Sequence, residues 1–278
     1  MAGQVHLLSL PLITITWSLA NWPPSGPSAL PPNEARVTRV TNDVRLLDPL
    51  AATRRASLND SVREGTVVRT GKDSHAELTF SDQTAVRFAA NTTFSFKNGT
   101  RDLSLGEGAV LIQAPKRASG ATIHAASVAA AVTGTTVMVE YHPGVCKFLV
   151  LEGTGRLYRP DHVGDSVLVD PGQLVIGNPK AAVSDPVDFD IARFVKTSRF
   201  IVGLPPLRSE SSMAFEAQKQ QREKSNKTLI DTNLVIFGGG TRVSLVGQAQ
   251  TNAGGQKTAA PTARSTPIPA QEAARTSP

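Results

Sequence analysis

With 278 residues, 22 glycines, 19 prolines and aromatics at only 5%, the chain is rich in turn formers and poor in large rings, which fits an all-β domain with an aliphatic core better than a helical bundle. Its one cysteine, Cys146, excludes an intramolecular disulfide and a multi-cysteine zinc site. A net charge of +6 does not mark a nucleic-acid binder, because residues 1–207 carry 20 basic against 18 acidic groups and the remaining excess lies in a polar C-terminal part without interleaved aromatics to stack on bases.

Along the chain, Leu7 to Ala20 is a charge-free apolar stretch ending in Ser18-Leu19-Ala20, a small-x-small cleavage pattern. At about 14 residues it falls short of the roughly 20 needed to span a bilayer. Residues 1–20 are therefore expected to be a secretory signal, with the mature protein periplasmic or secreted and not integral to the membrane. Residues 21–34 read as a proline-rich linker in extended conformation. Residues 35–179 are expected to form the β-domain, 180–246 a helical and strand extension, and 247–278 a disordered tail rich in Ala, Thr, Pro and Gln.

Within the β-domain, Val37, Val40, Val44, Leu46 and Leu47 predict a first strand or hairpin with Asn42-Asp43 as its turn, followed by a polar bridge from Ala51 to Asp60. Ala76, Leu78 and Phe80 alternate with His75, Glu77 and Thr79, the period of a half-buried strand. Ser81-Asp82-Gln83-Thr84 turns it back into Ala85 to Phe88. Thr93 to Lys97 is the next strand, Asn98-Gly99 a hairpin dipeptide, and Leu103 to Gln113 its return. Ile123 to Glu140 predicts a buried central strand with a glycine irregularity, and Pro143-Gly144 turns it into Lys147 to Leu151. Leu157-Tyr158, Ser166 to Val169 and Leu174 to Ile176 complete the series. Beyond Pro179, Phe189 to Ile201 predicts a short amphipathic helix and Ser209 to Asn226 a longer one, with strands at Leu229 to Phe237 and Arg242 to Val246.

One phrase recurs three times: Val62-Arg63-Glu64-Gly65-Thr66-Val67, Leu105-Gly106-Glu107-Gly108-Ala109-Val110 and Leu151-Glu152-Gly153-Thr154-Gly155. The shared glycines stand 43 and then 45 residues apart, so strands are laid down in repeating blocks. A repeat of this length is either two hairpins or one coil of a stack. A β-sandwich or β-roll is the first expectation, and a short β-solenoid the alternative. Gly155 stands where the other copies carry Val67 and Val110, so the third block is expected to break the pattern.

The stretch from Val62 to Ile176 resembles the FecR domain family. The likeness is carried by Thr70-Gly71-Lys72-Asp73-Ser74-His75-Ala76-Glu77-Leu78, by Asp82 to Phe88 with Asn91-Thr92, and by Leu105-x-x-Gly108-x-Val110. It continues in Ala131-Val132-Thr133-Gly134-Thr135, Leu151-Glu152-Gly153 and Pro171-Gly172-Gln173. The resemblance implies an all-β, non-enzymatic module for signalling or protein contact. The family's best-known members are membrane-spanning regulators of bacterial iron uptake whose cytoplasmic part controls a sigma factor. With about six residues ahead of the apolar segment, the likeness is expected to concern the extracytoplasmic module alone. Gly65, Gly71, Gly108, Gly134, Gly153 and Gly172, with Thr135, are expected to be backbone fixtures at strand ends and not ligand contacts.

Candidates for chemistry are few. Asp73-Ser74-His75 holds the residue types of a hydrolase triad, but neighbours on a strand diverge and cannot form the relay. Glu140 and His142 share a strand face and would need His124 or His162 to complete a metal site. Gly238-Gly239-Gly240-Thr241 lacks the Lys-Ser/Thr of a phosphate loop, and Asn91, Asn98 and Asn226 match glycosylation acceptors that read as turn residues. No catalytic residue, metal or cofactor is expected. The expected function is a binding or signal-receiving module for a protein partner in the bacterial envelope, its surface lying around His75 to Glu77 or in the extension after Pro179. A self-assembling envelope protein and a carbohydrate-binding module are the alternatives.

Overall fold

The computed structural model describes residues 34–97, 99–118 and 120–223, and beyond them the strands Lys227–Thr232 and Val243–Gln248. The expected signal segment, nearly all of the linker, Asn98, Asn226, the glycine run at 238–240 and all but the start of the tail lie outside the described residues.

Alternation of apolar and polar side chains sets the strands, and the chain deals them in turn to two layers. The first part comprises β1 (Glu34–Thr41), β2 (Val44–Leu47), β3 (Arg54–Arg55), β4 (Ser61–Arg63), β5 (Val67–Thr70), β6 (His75–Phe80), β7 (Ala85–Phe88) and β8 (Thr93–Lys97). Then come β9 (Asp102–Gln113), β10 (Ala121–Ala125), β11 (Val128–Val132), β12 (Thr136–His142) and β13 (Val145–Glu152). β14 (Gly155–Tyr158), β15 (Ser166–Val169), β16 (Gln173–Gly177) and β17 (Val187–Asp188) follow, then α1 (Ile191–Thr197), α2 (Glu210–Glu223) and a separate pair, β18 (Lys227–Thr232) with β19 (Val243–Gln248).

One layer has the order β4-β1-β6-β7-β9-β12-β13-β16-β17, the other β3-β2-β5-β8-β9-β10-β11-β14-β15. β9 belongs to both: its first half pairs with β8 and β10, its second half with β7 and β12. Apart from the exchange of the first pair, each layer reads in chain order. All the pairings are antiparallel except β9 with β10. The fold is thus a two-layer β-roll that advances along its own length as a solenoid does, but by hairpins.

The core lies between the layers. Val37, Leu78, Phe80, Val86, Phe88, Val139 and Phe148 meet Leu46, Val68, Phe94, Phe96, Leu103 and Ile123, all at most 2% exposed. Phe80 packs edge-on against Phe96 with centroids 4.8 Å apart, and Phe88 against Phe94 at 5.0 Å. Such pairs add about 1 kcal/mol each beyond their burial. The three repeated phrases lie at layer crossings. Asn42, Asn59, Gly65, Asp73, Asn91, Gly108, Gly134, Gly153 and Gly172, all between strands of different layers or at the midpoint of β9, have φ from +52° to +92°.

Several expectations are corrected. Ile123 to Glu140 is not one strand but parts of β10, β11 and β12, because Ala126 turns left-handed at φ +51° and Gly134 turns the chain into the other layer. Asn42-Asp43 is a crossing between layers, not a hairpin turn, and the bridge from Ala51 to Asp60 contains β3. The third block does break, at a register shift where Thr136 faces Glu152 and Val137 faces Val150, leaving Leu151 without a partner, but the second block shifts likewise, Thr93 facing Glu107 and Phe94 facing Leu105. Gly155 itself opens β14 beneath Phe148, whose Cζ would stand 2.6 Å from a methyl there.

Candidate functional site

The outward face of the layer ending in β17 is covered by the extension after Pro179. A second apolar cluster forms there from Leu111, Met138, Leu149, Leu151 and Leu174 on the strands and from Phe189, Ile191, Phe194, Phe200, Leu207 and Met213 above them. α1 starts because Asp190 caps it, its carboxylate accepting from Arg193 N at 2.9 Å. Gln220 of α2 accepts from Ile191 N at 3.1 Å and donates to Phe189 O at 2.6 Å, which locks α2 onto the entry to α1. The glycine at position 172 makes room for that amide: a methyl would stand 2.5 Å from Gln220 Nε2.

Polar groups hold the rest of the cover. Arg87 on β7 donates from Nε to Glu77 Oε2 at 2.7 Å and from its two terminal nitrogens to Phe200 O at 2.7 Å and Pro205 O at 2.6 Å. Glu77 also accepts from Thr38 Oγ1 at 2.8 Å. Arg208 reaches Gln83 Oε1 at 2.6 Å, and Thr136 Oγ1 bonds Ser209 Oγ at 2.7 Å and Glu152 at 3.2 Å. Through Glu77 and Arg87 the polar strand face expected around His75 to Glu77 is linked at one end to the extension, the other expected functional surface. Glu77, expected to face solvent, has a side chain only 15% exposed, its carboxylate held between Thr38 and the Arg87 guanidinium that carries the segment 198–207.

Glu140 and Lys147, cross-strand partners on β12 and β13, form a buried ion pair at 2.8 Å on the same face. His142 lies 3.5 Å from Glu140 and 3.8 Å from Glu107. His124 sits instead beside Asp102 at 3.8 Å, and His162 against Arg159. The structure does not bring the four metal candidates together, and among the described residues no group of three His, Cys, Asp or Glu side chains converges. Ser74 Oγ donates to Lys72 O and accepts from Asp43 N, so it serves a turn and not His75. Burial, aided by the nearby Glu140 charge, pushes the Cys146 thiol up to about 12. Burial also raises the Glu152 carboxyl, against the hydrogen bonds of Thr136 and Ser212 and the Lys116 charge that favour its ionised form.

The expected structural residues are spread along the crossings. Gly134, Thr135 and Gly153 meet one another: a methyl at Gly153 would lie 2.6 Å from Thr135 Cγ2 and 2.9 Å from Gly134 O. Gly65 and Gly108 are at the first two copies of the phrase, and Gly71 donates its N–H to Asp43 O at 2.8 Å. Two shallow clefts flank the roll. One, of about 310 Å³, lies on the β14–β15 hairpin by Tyr158, Arg159 and His162. The other, of about 560 Å³, lies between Gly153-Thr154, Asp170 and the Glu216–Glu223 side of α2. Sequence reasoning missed Arg87, Lys147 and Gln220. A cation between Val86 and Phe88 on a predicted strand was the one available signal, and Gln220 had none. Among the described residues no helix is long and apolar enough to cross a membrane.

Residues 66–154 match the family model described as FecR protein. The match opens at the Gly65 crossing and closes at the Gly153 crossing, so the chain carries a FecR domain there. Two crystal structures, at 1.65 Å and 2.50 Å, of a protein from Parabacteroides distasonis ATCC 8503 provisionally described as an anti-sigma factor are similar to the chain at 14% identity and a TM-score of 0.41. The similarity covers 66% of this chain and 86% or 85% of theirs. A search of curated proteins finds no match.

Proposed function

We propose that the FecR domain of residues 66–154 works as a non-catalytic, signal-receiving module that contacts a protein partner in the bacterial envelope, the extension after Pro179 providing the contact surface. The observation that carries this reading is Phe215, 60% exposed on α2 and the one aromatic among the large apolar side chains left in solvent in the described residues. Val187 and Val202 are exposed on the same extension, while Leu50, Leu58, Val163 and Leu168 are exposed singly on loops and an edge strand of the roll. Phe215 sits on the side of α2 away from buried Met213 and Gln220. Exposed aromatic and aliphatic groups on a rigid support are the usual anchors of a protein contact. The ionisable groups beneath are already engaged: Arg87 with Glu77 and two carbonyls, Lys147 with Glu140. That engagement favours a scaffold over an enzyme. The fit to a secretory signal at residues 1–20 supports an extracytoplasmic setting.

A photo-crosslinking residue placed at 215 in the full chain, expressed in its bacterium, tests the reading. A discrete protein adduct from the envelope fraction is expected, with none from the same probe at Ser95 on the opposite layer. Absence of an adduct at 215 from folded protein, or recovery of the chain in cytoplasm with residues 1–20 retained, overturns it.

A further inference from the structure

The two layers never close on themselves, and the ends they leave open differ in charge. In the layer without a helical cover, the first strand is β3, with Arg54 and Arg55 both exposed, and the last is β15. Among the described residues neither has a backbone partner beyond its one neighbour, β2 or β14. Arg55 stands directly opposite Arg45, and Arg45 opposite Arg69, so three guanidinium groups line up across adjacent strands. Asp43 pairs with Arg45 and Asp60 with Arg54, while Arg55 has no ion pair among the described residues. Asp48 and Glu64 lie in the turns nearby. Like charges in register repel, and an opposite charge laid beside β3 would relieve them.

β15 supplies that charge. Asp165 and Asp170 bracket its four uncharged residues, and Asp161 lies in the preceding turn. Asp165 is held by Arg159 and by Val183 N, but Asp161 and Asp170 are exposed and have no ion pair among the described residues. Leu168, 49% exposed, lies on the open face between them. The other layer is open at its first strand, β4, but not at its last, since β19 lies against β17, so it has no free pair of ends.

We propose that this chain associates with copies of itself head to tail, β3 of one copy extending the uncovered layer beside β15 of the next. The alternatives within one species carry a penalty. β15 against β15, antiparallel with Ser166 opposite Val169, sets Asp165 beside Asp170, and β3 against β3 sets arginine on arginine. Only the unlike ends pair strand edge, opposite charge and the apolar Leu168 with the methylene stem of Arg55. A heterologous contact of this kind does not close, so it builds linear assemblies. The short, arginine-bearing β3 would otherwise be read as a blunted edge that prevents association, and this is the outcome against which the proposal is set. It goes beyond the partner-binding reading and does not depend on it.

Sedimentation of the full chain from micromolar to millimolar concentration tests it. Mass rising past the dimer, with dissociation by added salt, is expected; a monomer throughout overturns the proposal. Two charge-reversed variants sharpen the test: R54E/R55E, and D161K/D170K, which spares the structural Asp165. Each alone should weaken association about tenfold or more. An equimolar mixture should restore it, because the reversed head of one variant meets the reversed tail of the other. Failure of the mixture to associate while both variants keep wild-type circular dichroism overturns it. The crosslink at position 215 should persist in both variants, which separates failure of this inference from failure of the partner reading.

Discussion

At Gly108 the chain passes from one layer to the other in mid-strand, and the position tolerates nothing larger. Its φ is +92°, and a methyl would press on Thr92 Oγ1 and come within 2.6 Å of Thr92 Cα and 2.7 Å of Asn91 O. Backbone atoms cannot rotate aside, so Gly108→Ala should cost about 3 kcal/mol or more, read from the urea midpoint. Gly144 is the contrast. Its φ is +88°, yet nothing lies within 4 Å of the added methyl, and Gly144→Ala should cost about 1 kcal/mol. Cys146, with its thiol raised to about 12, should resist iodoacetamide at pH 8 in the folded protein and react once urea unfolds it. Glu152 gives a pH signature. Its folded carboxyl binds protons more tightly than the unfolded one, so stability is full below the ordinary value of 4.5 and falls as pH rises from there through the elevated folded value. E152Q should remove that decline, seen as a flatter plot of melting midpoint against pH.

Among the elements, the extension depends on a few polar clasps as well as its apolar cluster. Arg87→Ala leaves Glu77 without its cation beneath the cover and frees the carbonyls of Phe200 and Pro205, a loss of roughly 3–5 kcal/mol for a buried pair broken on one side. Limited proteolysis should then cut within 198–208 while the strands stay protected. The pair of changes E77Q and R87M should recover part of the loss. If cleavage in R87A instead begins in the strands, the clasp has been misassigned. These elements also show what the residues disclosed. β6 was readable because His75 to Phe80 alternates strictly, and α1 because its apolar residues fall at helical spacing. The alanine-rich run misled because Ser127 alone interrupts the apolar residues from Ala125 to Val132, while the left-handed turns that divide the segment fall at Ala126 and Gly134. Arg87 and Gln220 were opaque for a different reason. Their partners are carbonyl and amide groups 113, 118, 31 and 29 residues distant, and backbone groups leave no trace in side-chain pattern.

For the whole molecule, the repeat was legible and its meaning was not. Evenly spaced Glu-Gly phrases announced blocks, but whether a block coils or folds back depends on pairing, which becomes visible only when β13 is seen against β12 and β16 instead of against its counterpart one repeat away. Both expectations caught part of the answer: the strands pair as in a sandwich and advance as in a solenoid. Such a molecule should lose its far end first. Truncation after Gly177 removes α1, α2 and the outermost strand β17, exposing Leu149, Leu151 and Leu174. It should raise binding of a hydrophobic dye while leaving the strand signal in circular dichroism largely intact.

The chain-order arrangement of both layers also gives the protein a direction. From β7 onward, each new strand finds the edge it must join already delivered, with no more than one other hairpin between that edge and the growing end. A polypeptide fed out from its amino terminus, from a ribosome or through a pore, can therefore lay down structure as it emerges, each added strand holding what has arrived and hindering its return. The crossings at Gly108, Gly134, Gly153 and Gly172 then act as successive pawls, and emergence and assembly become a single vectorial process.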